Sequence, residues 1–193
     1  MPFGVMFHHF HSRKIKKFGQ GSIDKNQFEN IIKFLKKNFT ILTPEEWILK
    51  VEKKKLKKKD ICLTFDDALL SQYDVALKIL NKYNLKAFWF IYSSVFNGEI
   101  DNFEIHRKFR SIYYKNFYEF FFNFSNHTDK NFISKKIKKY QIFFKFMKKF
   151  YPIYSNKDIE FRFLRDHVLT QIQYNNILNK MMTEKKTNKK KLS

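Results

Sequence analysis

Asp66 and Asp67 stand side by side where the apolar run Ile61-Cys62-Leu63-Thr64-Phe65 ends. Ionised carboxylates at the exit of a buried strand must be hydrogen-bonded, paired or bound to a cation. Neighbouring side chains on extended backbone point in different directions, so one can hold a metal ion while the other draws a proton from water. Helix capping is the alternative, because aspartate favours helix starts and a helix-forming stretch follows. A second set of candidates is His8, His9 and His11, which follow the short apolar run Phe3 to Phe7. A His-x-His pair such as His9 and His11 on a strand puts both side chains on one face. His106, His127 and His167 stand apart from such patterns and read as structural or exposed.

The elements that must position these groups follow from periodicity and caps. Phe3 to Phe7 reads as a strand that delivers the histidines at its C-terminal end, and Gly19-Gln20-Gly21 as a turn. Asp24 with Gln27 makes a capping box ahead of Phe28, Ile31, Ile32 and Leu35, which predicts an amphipathic helix over 24–38. Thr40 to Leu42 is a brief strand, and Thr43-Pro44-Glu45-Glu46 starts a second helix running to Glu52. The lysine-rich connector Lys53 to Lys59 leads into the aspartate-bearing strand. Ser71 caps a helix carrying Val75, Ala76, Ile79, Leu80 and Tyr83, and Ala87 to Tyr92 reads as a second buried strand. Residues 60–92 therefore form a β-α-β unit with parallel strands, whose C-terminal ends share one rim.

After Asn97-Gly98 the pattern becomes helical. Phe109, Ile112, Tyr113, Phe117, Phe120, Phe121 and Phe124 form one apolar stripe, and Ile133, Ile137, Tyr140, Phe144 and Met147 another. A third helix is expected from Asp158 to Met182, with a polar, frayed tail from Thr183. The expected division is a β/α part over 1–98, a helical insertion or cap over 99–182 and a lysine-rich tail over 183–193.

Composition bounds the function classes. The chain has 193 residues, 44% of them hydrophobic and 19% aromatic, which excludes a disordered polyelectrolyte. One cysteine, Cys62, excludes an internal disulfide framework. The longest apolar run, Ala87 to Tyr92, is six residues, far short of the ~18 needed to cross a bilayer. No secretory leader is evident in the first residues, so a cytoplasmic location is expected. The net charge of +21 raises nucleic acid as a partner. However, 34 of the 39 basic residues are lysine, and the planar guanidinium that reads phosphate and guanine is scarce. Lys, Asn, Ile, Phe and Tyr make up 104 of the 193 residues, all types with A/T-rich codons, so coding bias accounts for much of the charge.

The segment Leu63-Thr64-Phe65-Asp66-Asp67, the helix Val75 to Asn84 and the strand Lys86-Ala87-Phe88-Trp89-Phe90-Ile91 together resemble the first motif region of the polysaccharide deacetylases, the nodulation-protein-B-like carbohydrate esterases. In that family a Thr-Phe-Asp-Asp-Gly strand end precedes a helix and a strand of the Ala-Thr-Phe-Phe-Val type. Val5-Met6-Phe7-His8 is similar to the family's first strand, and the resemblance spans residues 3–96. It implies a partial, irregular β/α barrel followed by a helical segment, with Asp66 as general base, Asp67 as metal ligand and His8 near the same rim. It implies hydrolytic removal of an acetyl group from an N-acetylated surface or lipid-linked glycan, with a divalent metal, typically zinc, polarising the amide carbonyl and water.

The sequence departs from the family pattern in three places. Position 68 is Ala where the pattern has Gly, which matters where the backbone needs positive φ. The six histidines contain no pair in the His-Ser/Thr-x-x-His spacing that completes the family's metal site. Nor is there an Arg-x-Pro segment, the prolines being Pro2, Pro44 and Pro152. Three readings follow: the N-terminal portion of a longer deacetylase, replacement of the missing ligands by His8, His9 or His11, or a non-catalytic relative that binds glycan. Outside the family, the alternative is a basic, aromatic-rich protein that binds nucleic acid or another polyanion through residues 103–193.

Overall fold

The computed structural model describes residues 1–12 and 21–192, with the side chains of residues 130, 132 and 133 set aside. Of the expected turn, Gly19 and Gln20 lie outside the described residues, as does the side chain of Ile133. The chain divides into two units, Met1–Ile100 and Asp101–Ser193.

The first unit is built on a parallel sheet of four strands: β1 (Phe3–Phe7), β2 (Thr40–Ile41), β3 (Asp60–Asp66) and β4 (Phe88–Phe90). β3 is central. β1 pairs with it in the register Phe3↔Ile61 through Phe7↔Phe65, while β2 pairs with its first residues and β4 with its last. The sheet is open, so the expected partial barrel is corrected to a four-stranded sheet among the described residues. Closure requires further strands to satisfy both edges, and β1, β2 and β4 here pair only with β3.

Local sequence accounts for the flanking helices. Helix α1 (Lys25–Asn38) starts at Asp24 and α2 (Pro44–Glu52) at Thr43, each with a complete capping box to Gln27 and Glu46. Phe28, Ile32 and Leu35 of α1 bury one stripe against β1 and β3, where Phe28, Phe7 and Phe65 meet ring to ring. Phe65 also stacks on Trp89 with centroids 4.4 Å apart. Complete burial of Phe65 makes it a principal anchor of the strand, and Phe65→Ala would cost about 3–5 kcal/mol.

Two expectations change in this unit. Ser71 makes no side-chain cap and is already helical, at φ −62 and ψ −28, because the turn after β3 winds directly into a π-helical turn, Gln72–Ala76, that continues as α3 (Leu77–Lys82). β4 is three residues long instead of six and only half-buried, since it lies at a sheet edge; Phe90, Ile91 and Tyr92 are exposed.

The second unit is helical: α4 (Asn102–Tyr113), α5 (Phe117–Asn126), α6 (Lys130–Lys139), α7 (Gln141–Phe150), α8 (Asn156–Phe163), α9 (Gln171–Glu184) and α10 (Lys189–Leu192). Its core gathers Phe109, Phe120, Phe124, Phe161, Tyr174 and Leu178. The single helix expected over 158–182 is divided. A π-helical turn, Leu164–Val168, ends in extended Leu169, and Thr170 then caps α9 with its own capping box to Gln173. The tail is also more ordered than expected: Leu192 is buried, its carbonyl accepts from Lys108 at 2.9 Å, and Lys189 reaches Asn102 at 2.7 Å. Among the described residues no helix is long and apolar enough to cross a membrane.

Candidate active site

Parallel pairing of β1 with β3 determines where the candidate groups emerge. Because Phe7 lies opposite Phe65, His8 and Asp66 leave the sheet side by side at its C-terminal rim. Backbone φ then turns positive at two consecutive residues, 69° at Asp67 and 48° at Ala68. This left-handed pair reverses the chain immediately after the strand. Aspartate tolerates the conformation through its short polar side chain, but alanine is held there at a cost of about 1 kcal/mol. The glycine expected by the resemblance at position 68 thus has a backbone reason, and the alanine is strained.

The turn aims Asp67 at β1. His8 Nε2 donates to Asp67 Oδ2 at 2.5 Å across 59 residues of sequence, with both side chains partly exposed. A carboxylate only accepts, so the bond places the imidazole proton on Nε2. Among the described residues Asp67 makes no bond to an amide of the helix that follows. The capping alternative is set aside for this residue. Asp66 is the last residue of β3 and half-buried.

A residue that sequence reasoning passed over ties the two strand ends together. Gln72 is fully buried, and its Nε2 donates to the carbonyl of His8 at 2.8 Å and to that of Asp66 at 2.7 Å. One side-chain amide therefore cross-links the backbones that carry His8 and the aspartates. Its Oε1 is buried without a hydrogen-bond partner among the described residues. The signal was present in the sequence: Gln72 precedes Val75 and Ala76 by three and four residues, on the same stripe as Ile79 and Leu80. A polar residue on a buried stripe needs a partner.

The remaining histidines separate. His9 is buried, its ring edge-on to that of His8 with centroids 4.0 Å apart. His11 turns away to Ser22, Nδ1 to Oγ 2.9 Å, in a segment where backbone bonds link His9 and His11 to Ile23. In the second unit His127 pairs with Glu184 at 3.2 Å and His167 packs on Phe143. His106 is buried against Tyr174 with both ring nitrogens unpartnered among the described residues, and burial, with the nearby Lys189 charge, holds its pKa down to about 4. Cys62 is buried in β3, where burial pushes the thiol pKa up and keeps it unreactive.

Once a cation displaces the proton that they share, Asp67 and His8 offer one carboxylate oxygen and one imidazole nitrogen, the donor chemistry that suits zinc and similar divalent cations. The residues therefore fit such an ion, with the neighbouring imidazole of His9 as a further nitrogen donor nearby.

Comparison with known proteins covers this strand end. The family described as polysaccharide deacetylase matches residues 53–142, a stretch that contains Asp66, Asp67 and Gln72 but not His8, His9 or His11. No curated protein matches the sequence. Among solved structures, a de-N-acetylase from Aggregatibacter actinomycetemcomitans has TM-score 0.43 and 22% identity, covering 52% of this chain and 41% of that one. The Streptococcus pyogenes deacetylase PplD, solved in complex with acetate, has TM-score 0.41 and 26% identity over 51% of this chain and 45% of its own. IcaB from Ammonifex degensii has TM-score 0.38 and 22% identity, covering 46% and 37%. The chain thus spans less than half the length of each of these structures.

Proposed function

We propose, from the match of residues 53–142 to the family described as polysaccharide deacetylase, that this chain carries the base and part of the metal site of a hydrolase that removes N-acetyl groups from a surface or lipid-linked glycan. One observation carries the reading: His8 and Asp67 meet at the rim of the parallel sheet, with Asp66 beside them at the end of β3. Asp67, with His8, would hold a divalent cation, probed first as zinc. When bound, that ion supplies Lewis acidity toward the amide carbonyl and lowers the pKa of water. Asp66 acts as general base: its carboxylate takes a proton from the attacking water and returns it to the departing amine, so that acetate and a free amino sugar leave. Gln72 positions both groups through the two backbone carbonyls that it binds. A reducing, cytoplasmic compartment is consistent with the single buried thiol.

The test is acetate release from an N-acetylglucosamine oligomer with and without added zinc, alongside zinc binding by calorimetry. Asp66→Asn lowers turnover by about 10²-fold or more while zinc still binds. Asp67→Asn and His8→Ala weaken zinc binding itself. Unchanged acetate release in both aspartate variants would overturn the assignment.

A further inference from the structure

The second unit carries a surface that the deacetylase reading does not use. Helix α7 packs one side inward, where Phe143 and Phe144 contact Phe163 with centroids 5.3 and 5.2 Å apart. Its apolar sector nevertheless continues round to the outside. Ile142, Phe146 and Phe150, spaced four residues apart on one face, are 85%, 54% and 57% exposed, and the two phenylalanine rings lie 4.4 Å apart. Tyr151 and Ile153 extend this exposed apolar surface beyond the helix end. A helix half-buried through Phe143, Phe144 and Met147 has no folding reason to display three large apolar side chains on its other side, and contiguous patches of this kind mark interaction sites.

The surrounding charge identifies the partner. Between Asp129 and Asp158 the chain holds nine lysines and no acidic residue. Lys145, Lys148 and Lys149 are exposed on α7, and the ammonium of Lys149 lies over the Phe150 ring at 5.9 Å. Apolar tips surrounded by lysine make the pattern of an interfacial helix, which sinks its apolar sector into the acyl boundary while lysines engage anionic headgroups. Single-stranded nucleic acid fits less well. The stretch contains no arginine, two of its exposed apolar groups are the aliphatic Ile142 and Ile153, and base stacking needs aromatic planes.

We propose that the α7 face, centred on Ile142, Phe146 and Phe150, is a docking surface for an anionic lipid bilayer, peripheral rather than spanning. The proposal rests on the second unit alone and is independent of the deacetylase reading. The experiment is co-sedimentation of the full chain with phosphatidylcholine vesicles, with and without phosphatidylserine, at low salt and at about 1 M salt, where the Debye length shrinks to about 3 Å. Binding is expected only with phosphatidylserine and should fall steeply with salt. The triple change Lys145→Gln, Lys148→Gln and Lys149→Gln weakens it on the order of a hundredfold. A second variant, Ile142→Ser, Phe146→Ser and Phe150→Ser, weakens it at least about tenfold. All six side chains are exposed, so circular dichroism should report an unchanged fold. The proposal is overturned if the wild type ignores phosphatidylserine vesicles or if both variants bind them as it does. It is also overturned if a single-stranded oligonucleotide competes the protein off the vesicles through the same side chains, or if the face instead supports self-association.

Discussion

Acidification should weaken the helical unit through a single buried imidazole. His106 on α4 packs edge-on to Tyr174, centroids 5.3 Å apart, and neither ring nitrogen has a hydrogen-bond partner among the described residues. Burial, reinforced by the Lys189 charge, lowers its pKa from 6.5 to about 4. A depressed histidine pKa means that the unfolded chain binds the proton first. Stability is therefore complete above the unfolded value, falls as pH drops through 6.5 and levels off below about 4. From these two values the linkage relation gives a loss of about 2 kcal/mol between pH 7 and pH 5. The assay is urea unfolding at both pH values, followed by two probes. Both tryptophans, Trp47 and Trp89, lie in the first unit, so their fluorescence reports that unit. The far-ultraviolet helix signal is dominated by the second. The loss should appear in the helix signal and be absent in His106→Phe, which keeps the ring packing and removes the two orphaned nitrogens. At pH 7 that variant should be more stable by about 1 kcal/mol. Equal acid losses in the wild type and His106→Phe, or a His106 imidazole that titrates near 6.5 by NMR, would refute the reasoning.

Other perturbations test the first unit. Ala68→Gly relieves a positive φ of 48° and should stabilise by about 0.5–1 kcal/mol, read as a higher urea midpoint in tryptophan fluorescence; a lower midpoint contradicts the strain. Gln72→Leu removes both donors to the His8 and Asp66 carbonyls and should cost about 2 kcal/mol, with the NMR signals of His8 broadened or shifted; unchanged signals would show that the amide does not position that strand end. Asp60 is buried at the start of β3 and accepts from the Lys57 amide at 2.9 Å and from Lys50 at 3.0 Å, so Asp60→Ala should cost about 2–3 kcal/mol in the same urea assay. The Lys57 amide bond, helped by Lys50, lowers the Asp60 pKa, so its contribution is present above the ordinary carboxylate value of 3.8 and disappears as pH falls below it.

What the sequence determined by itself was local. The capping boxes at Asp24 and Thr43, the strand ending in Asp66 and the parallel return through α3 to β4 depend on residues close in sequence, where caps, turn chemistry and side-chain period act directly. The carboxylate pair could be located in the same way, because an apolar run that stops at two aspartates is a contiguous signal. Tertiary structure decided which carboxylate met which histidine. The bond from His8 to Asp67 spans 59 residues and exists only because β1 lies alongside β3 in one register. The same register and the buried Gln72 amide separate His8, held at the rim, from His11, which binds Ser22, although the two residues between them give no hint of it. In the helical unit, periodicity ran straight through Leu164–Val168 and concealed the π-helical turn there. A π-helical turn inserts a residue into the ladder without changing residue type, so only the packing around it reveals the break.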